Sequence, residues 1–283
     1  MTAATSVVTN AATPVAGAAP APTPTTRSRT ASRYRLTFAH LLRSEWIKIW
    51  SLRSTWWSLA VAAVLSVGIS LLIAAATANS GPGLPAATII LLPTQFTMLV
   101  AGILGAIVVT GEYSTGMIRS TLAAAPRRGA VLAAKAIVIS VIIAITTIVI
   151  YAIAIAATAP MVAQGIDWSQ PSQSIVPLMY GVLAMVAYTL IGLGFGFVIR
   201  NGAGAIATTV GVLFVLPIVF SLFTIAGEGW RWIVDLAQYL PSNAGGTLAS
   251  PGTEDVLPSL LALAGWVVVP LVLGWIVLRT RDA

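Results

Sequence analysis

The sequence contains no cysteine and a single histidine, His40. A disulfide framework, a cysteine zinc site and a thiol nucleophile are therefore excluded, and one histidine leaves no imidazole cluster for a metal. Charge is equally scarce: Asp, Glu, Lys and Arg make up 8% of the 283 residues against 58% hydrophobic ones, and mean hydropathy is +0.94. An ordinary soluble domain is about one-quarter charged, so this chain is built for lipid. No G-x4-G-K-[ST] phosphate loop occurs, which leaves nucleotide hydrolysis without its motif. HExxH, G-x-S-x-G and paired intramembrane aspartates are missing too, so a membrane-embedded enzyme lacks support.

Six apolar runs, uncharged but for Lys135, account for most of what is present: roughly Trp56 to Ala78, Ala86 to Gly111, Val131 to Ala159, Ile175 to Val198, Ala203 to Ala226 and Val256 to Leu278. Each is long enough to cross a bilayer as a helix, and only helices or closed barrels satisfy their backbone there. The fold class is therefore an all-α polytopic membrane protein with six transmembrane helices.

The connections alternate in charge. All of the 15 Lys and Arg residues except Arg231 fall on one side of the predicted topology, whereas Asp167, Glu228, Asp235, Glu254 and Asp255, five of the 8 acids, fall on the other. The positive-inside rule then places both termini in the cytoplasm. The net charge of +7 follows this topology rather than a nucleic-acid-binding face, and no nucleic acid is expected as a partner.

Residues 1–35 are rich in Ala, Thr, Pro and Ser and read as a disordered cytoplasmic tail, whose Arg27, Arg29, Arg33 and Arg35 suit anionic lipid headgroups or orientation. Residues 36–54 read as an amphipathic interfacial helix. Phe38, Leu41, Leu42, Trp46, Ile49 and Trp50 recur at helical spacing, with His40, Arg43, Ser44, Lys48 and Ser51 mostly opposite, and Glu45 and Ile47 breach the two faces. His40 reads as a plain surface residue. Residues 55–283 complete the six-span domain. On its outer side, 227–255 holds a run from Trp230 to Leu240, too short to span, which is expected to lie in the interface as a short re-entrant or surface helix with Pro241 ending it.

Within the runs Lys135 is the sole ionisable residue, so no buried carboxylate is expected to relay protons or hold sodium. Gly192 and Gly196, with Gly102 and Gly105, suit close helix packing. Pro93, Pro217 and Pro270 are expected to kink their spans. Thr94, Gln95, Thr97, Thr146, Thr147, Tyr188, Thr208 and Thr209 are candidates for a translocation path, and helix–helix hydrogen bonds would explain them equally well.

The longest charged interruption, 112–130 and on to Lys135, joins the second and third spans. Between Gly111 and Pro126 a short helix is expected over Thr115 to Ala125, and its Met117, Ile118 and Leu122 among small residues suit a knob in a groove of another protein. An ordinary solvated basic loop fits the same residues.

Glu112, Gly116, Leu122, Pro126, Arg128 and Lys135 fall in the pattern E-x3-G-x5-L-x3-P-x-R-x6-K, which resembles the segment after the second span of ABC type-2 transporter permeases. The stretch from Ser44 to Trp57 is similar to the start of actinobacterial members, and Met117 stands where the family usually has threonine. The resemblance implies a connecting helix carrying Arg43, Trp46, Lys48, Trp50 and Arg53, and a coupling helix in which Glu112, Gly116, Met117, Ile118, Leu122, Pro126 and Arg128 contact a separate ATPase dimer. It further implies a permease homodimer in the bacterial cytoplasmic membrane. The importer-type E-A-A-x3-G loop is absent from Glu112-Tyr113-Ser114, which favours export. No cofactor is expected in this chain; ATP and magnesium would sit on the partner subunit. An ion-coupled carrier or channel, and a non-transporting membrane anchor, remain as alternatives.

Overall fold

The computed structural model describes residues 37–78, 84–125, 127–162, 165–225 and 227–280. The N-terminal tail with its four arginines, Pro126 and Arg281 lie outside them. Among the described residues every regular element is helical.

Helix α1 (Phe38–Ser51) begins at Thr37, whose extended backbone and side-chain oxygen, accepting from the His40 amide at 3.4 Å, form an N-cap. Leu52, also extended, closes α1 and opens α2 (Arg53–Thr77) in one step, so the chain turns a corner on a single residue. The Trp56 indole donates to the Trp50 carbonyl at 2.9 Å across that corner. Arg53, expected at the end of the interfacial helix, is thus the first residue of the first span.

The second span is split. Helix α3 (Ala86–Leu91) stops before Pro93, and α4 (Thr94–Ser114) starts after it, because proline has no N–H for the ladder and its ring crowds the preceding turn. After α4 come α5 (Met117–Ala124), α6 (Arg128–Thr158) and α7 (Ile175–Ile199). The fifth span is composite: α8 (Gly202–Val210), a π-helical turn over Gly211–Val215, and α9 (Leu216–Leu222), with Pro217 in the first turn of α9. Two short helices, α10 (Arg231–Ala237) and α11 (Pro241–Leu248), precede α12 (Leu257–Thr280), which runs unbroken through Pro270.

All six expected spans are present, each long and apolar enough to cross a membrane. One expectation fails: Pro241 does not end a helix but opens α11. Its missing N–H costs nothing in a first turn, where that donor would be unpaired anyway.

Helices α4 and α7 are the most enclosed spans and form the middle of the bundle. Their approach is set by the glycines. A Cβ on Gly192 would overlap the Gly102 carbonyl oxygen, and one on Gly105 would overlap that of Thr189. Close backbone packing is what small-residue spacings supply inside lipid, where apolar burial gives no net attraction between helices.

Candidate functional site

Four charges meet beneath α1. Lys48 Nζ lies 2.7 Å from Glu45 Oε1 and 3.0 Å from Glu112 Oε1; Lys135 Nζ lies 2.5 Å from Glu45 Oε2 and 2.8 Å from the same Glu112 Oε1. The result is a closed ring of alternating sign, Glu45–Lys48–Glu112–Lys135, with two members on α1, a single one on α4 and a single one on α6. Lys48 also donates to Thr121 Oγ1 at 3.2 Å, which brings in α5. Helices α1, α4 and α6 are thereby tied to the short α5.

Burial makes the arrangement demanding. Glu45 and Lys135 are both 1% exposed, and Glu112 is buried. An isolated charge in such a place costs several kcal/mol, and only good geometry with an opposite charge offsets it. Two carboxylates and two ammonium groups sum to zero, and each is within hydrogen-bond reach of both neighbours. Glu112 needs this most, because it stands in the last turn of α4, where the helix dipole disfavours an anion. Its second oxygen, Oε2, is buried without a hydrogen-bond partner. Burial pulls the Glu45 carboxyl upward, but Lys135 and Lys48 outweigh it and hold the group below its ordinary value. Burial likewise pulls Lys48 down, while Glu45 and Glu112 outweigh it and keep its ammonium above the usual range.

The expectation of no buried carboxylate to relay protons or hold sodium is corrected in one respect: two buried carboxylates are present, each paired with lysines. Both acids lie just outside the uncharged runs, Glu45 in α1 and Glu112 one residue past Gly111, and the fold draws them in against Lys135. At about 1.5 Å per residue the 31 residues of α6 form a rod about 46 Å long, beyond the about 30 Å of a hydrocarbon core. Lys135 stands in the second turn of this rod, toward an end rather than its middle, and a charge is less costly near a membrane surface than at the bilayer centre.

Helix α5 hangs from this ring by a left-handed hinge. Gly116 has φ of 70°, and a Cβ there would meet nothing within 4 Å, so backbone conformation rather than space selects glycine. Within α5, Ile118 is buried and Leu122 packs against the core, whereas Met117, Arg119, Ser120, Ala123 and Ala124 face outward. The helix thus presents Met117 alone of its three large apolar residues. Arg128 turns back to the bundle, its guanidinium donating to the Leu278 carbonyl at 2.6 Å, and Arg200 donates to Val277 at 2.8 Å. Two cations thus sit on the last carbonyls of α12, the position the helix dipole favours.

On α1, Arg43 is exposed, Trp46 and Trp50 stack with ring centroids 5.6 Å apart, and Lys48 enters the ring. Arg53 is exposed at the start of α2. The polar residues of the spans are not brought to one place. Thr94, Gln95 and Tyr188 line a cavity of about 360 Å³ between the α3–α4 break, α7 and α11. Thr97 is buried and donates to the Pro93 carbonyl, Thr209 is buried and donates to Ala205, and Thr208 is half-buried. Thr147 is buried and Thr146 half-buried.

The sequence pattern groups Glu112 with Lys135 but does not join them to Glu45 and Lys48 of α1, and neither Glu45 nor Thr121, which accepts from Lys48, stands out as a site residue there. A signal existed for two of them: Glu45 breaches the apolar face of α1, and Lys135 is the sole ionisable residue within a span. A family model described as ABC-2 family transporter protein matches residues 61–283. No curated protein matches the chain.

Proposed function

Because the chain belongs to the ABC-2 family of transporter proteins, we propose that it is the membrane-spanning permease subunit of an exporter whose ATP and magnesium are held by a separate chain. Two copies pair in the bacterial cytoplasmic membrane with their termini inside, and each docks on one subunit of an ATPase dimer. The observation that carries this reading is the manner in which α5 is held: one face anchored through Thr121, Ile118 and Leu122, the other uncovered. A helix so mounted suits transmission of a push from a soluble partner to α1, α4 and α6 together. Closure of the ATPase dimer on ATP would move α5, and the ionic ring would carry that displacement into the spans, biasing inward- and outward-facing states. Export rests on the absence of an importer-type loop.

The docking face is narrowed to Met117, Arg119, Ser120, Ala123 and Arg127, since Ile118 and Leu122 are turned inward. Cross-linking tests it. With the full chain co-expressed with an ATPase subunit, Met117→Cys and Ala123→Cys are expected to cross-link to that subunit and Leu261→Cys on α12 is not. Absence of a cross-link from both α5 positions would overturn the docking assignment.

A further inference from the structure

A second cavity, about 260 Å³ and almost wholly apolar, opens at the corner where α1 meets α2 and α6; Trp46, Trp50, Thr55, Trp56, Ile142 and Ile145 line it. Its rim is aromatic. Trp50 packs edge-on against Trp56 at 4.6 Å and face-on against Trp46, and all three indoles are exposed. Tryptophans so placed belong to the headgroup level of a bilayer. Within the cavity wall, Thr55 is 3% exposed, yet its hydroxyl has no hydrogen-bond partner. A buried hydroxyl left unpaired is costly, so it marks a place for an acceptor from outside the chain.

Charge selects the ligand. Arg53 lies in the same first turn of α2 as Thr55 and Trp56, and Arg43 is one helical turn before Trp46; both are exposed. Glu45, the acid of this corner, faces the other way and is consumed by the ionic ring. Two exposed cations thus stand three residues before rim tryptophans on their own helices, while the cavity lining itself is hydrocarbon-like. We propose that this corner is a binding site for one anionic phospholipid, its phosphate on Arg53 and Arg43, a glycerol ester carbonyl accepting from the Thr55 hydroxyl, and part of an acyl chain in the cavity. The cavity falls below the about 300 Å³ at which ligand pockets for whole small molecules begin, which fits a segment of chain rather than a complete cargo molecule. The site rests only on the spans crossing a membrane and not on ATP-driven transport, so its test is independent of the α5 cross-links.

The full chain is reconstituted in phosphatidylcholine vesicles containing a minor, equal fraction of either brominated phosphatidylglycerol or brominated phosphatidylcholine, and tryptophan fluorescence is read. The part of the quenching that disappears in Trp56→Phe reports the corner. That part is expected to be stronger with the anionic lipid, by about five-fold in apparent affinity for each arginine, the effect of one cationic side chain at an anionic surface. Arg43→Gln/Arg53→Gln should abolish the preference while leaving quenching by both lipids, and Ile145→Phe, which fills the cavity from an exposed position, should remove the Trp56-dependent quenching. Equal quenching by the two lipids in the unmodified chain, a lipid contact without selectivity, would overturn the proposal. So would a preference that survives loss of both arginines. Absence of quenching by either lipid would mean that protein, such as a second copy of the chain, covers the corner, and would overturn it as well.

Discussion

Gly116 and the four charges of the ring define what single residues contribute. At Gly116 a side chain would have room but not the backbone angle, and a left-handed conformation costs a non-glycine residue about 1–2 kcal/mol. Gly116→Ala should therefore lower thermal stability modestly while leaving insertion intact, and should reduce ATPase-coupled activity by altering how α5 leaves α4; stability and coupled activity both matching the original chain would refute it. In the ring, Glu45→Gln and Lys135→Met each strand a buried charge, and breaking such a pair costs about 3–5 kcal/mol. The double variant restores neutrality, with Lys48 and Glu112 still paired, so it should recover more than half of either loss when unfolding is followed in detergent. Additive losses would show that the ring does not act as a unit.

The same ring sets a pH window. Glu45 is held below its ordinary 4.5, so its stabilisation is complete above that value and fades as pH falls through the lower folded-state pKa. Lys48 is held above its ordinary 10.5, so its share is complete below that value and is lost as pH climbs through the higher folded-state one. Melting temperature should therefore be flat with respect to these two groups between about 4.5 and 10.5, with an acid limb that is shallower in the Glu45→Gln/Lys135→Met variant. An identical acid limb in both proteins would assign the acid sensitivity elsewhere.

Among the elements, the seam between α4 and α7 is the least tolerant of size. Gly192 faces the Gly102 carbonyl with no space for a methyl group, so Gly192→Leu must push the two central spans apart. Overpacking of this kind costs about 1–3 kcal/mol or more, and proteolysis of the variant in detergent should outpace that of Gly68→Leu, whose site has nothing within 4 Å. This seam could be expected from the GxxxG spacing, because small residues four apart must share a face. Other elements hid from sequence reasoning for definite reasons. Helix α11, PSNAGGTL, is too polar and small to register as a membrane element, and its proline reads as a stop in sequence although a first-turn proline is equally a start. Glu45 reads as an interruption of α1 because a helical wheel displays one element only; beyond Lys48 on the same helix its partner is Lys135, 90 residues away in α6, a pairing that no local period encodes. The six spans, in contrast, are announced by length and apolarity alone.

At the scale of the whole molecule, charge is segregated to the ends of a bundle whose middle is neutral. Lys48, Arg128, Lys135, Arg200 and Arg279 gather where α1, α4, α6, α7 and α12 end or begin, and each of the first four bonds a carboxylate or a helix carbonyl there. These cations thus fasten the helices together. The proposed topology puts this end in the cytoplasm. Single cysteines at Ser120 and at Ser169 should then react from opposite sides of sealed cells, with Ser169 labelled by an impermeant reagent and Ser120 protected; the reverse pattern would invert the orientation and remove the basis for docking an ATPase at α5.

The π-turn over Gly211–Val215 gives the fifth span a property the other five lack. Such a turn holds one residue more than an α-helix of the same rise, so the span carries a spare position in its covalent register. Loss of a single residue there would close the turn into ordinary helix and leave both ends at nearly the same depth, whereas the same deletion in α7 would swing every following side chain by about 100°, the step of one residue in a 3.6-residue turn. In evolutionary terms the fifth span can take up a one-residue change of length that an unbroken helix would pass on to everything after it.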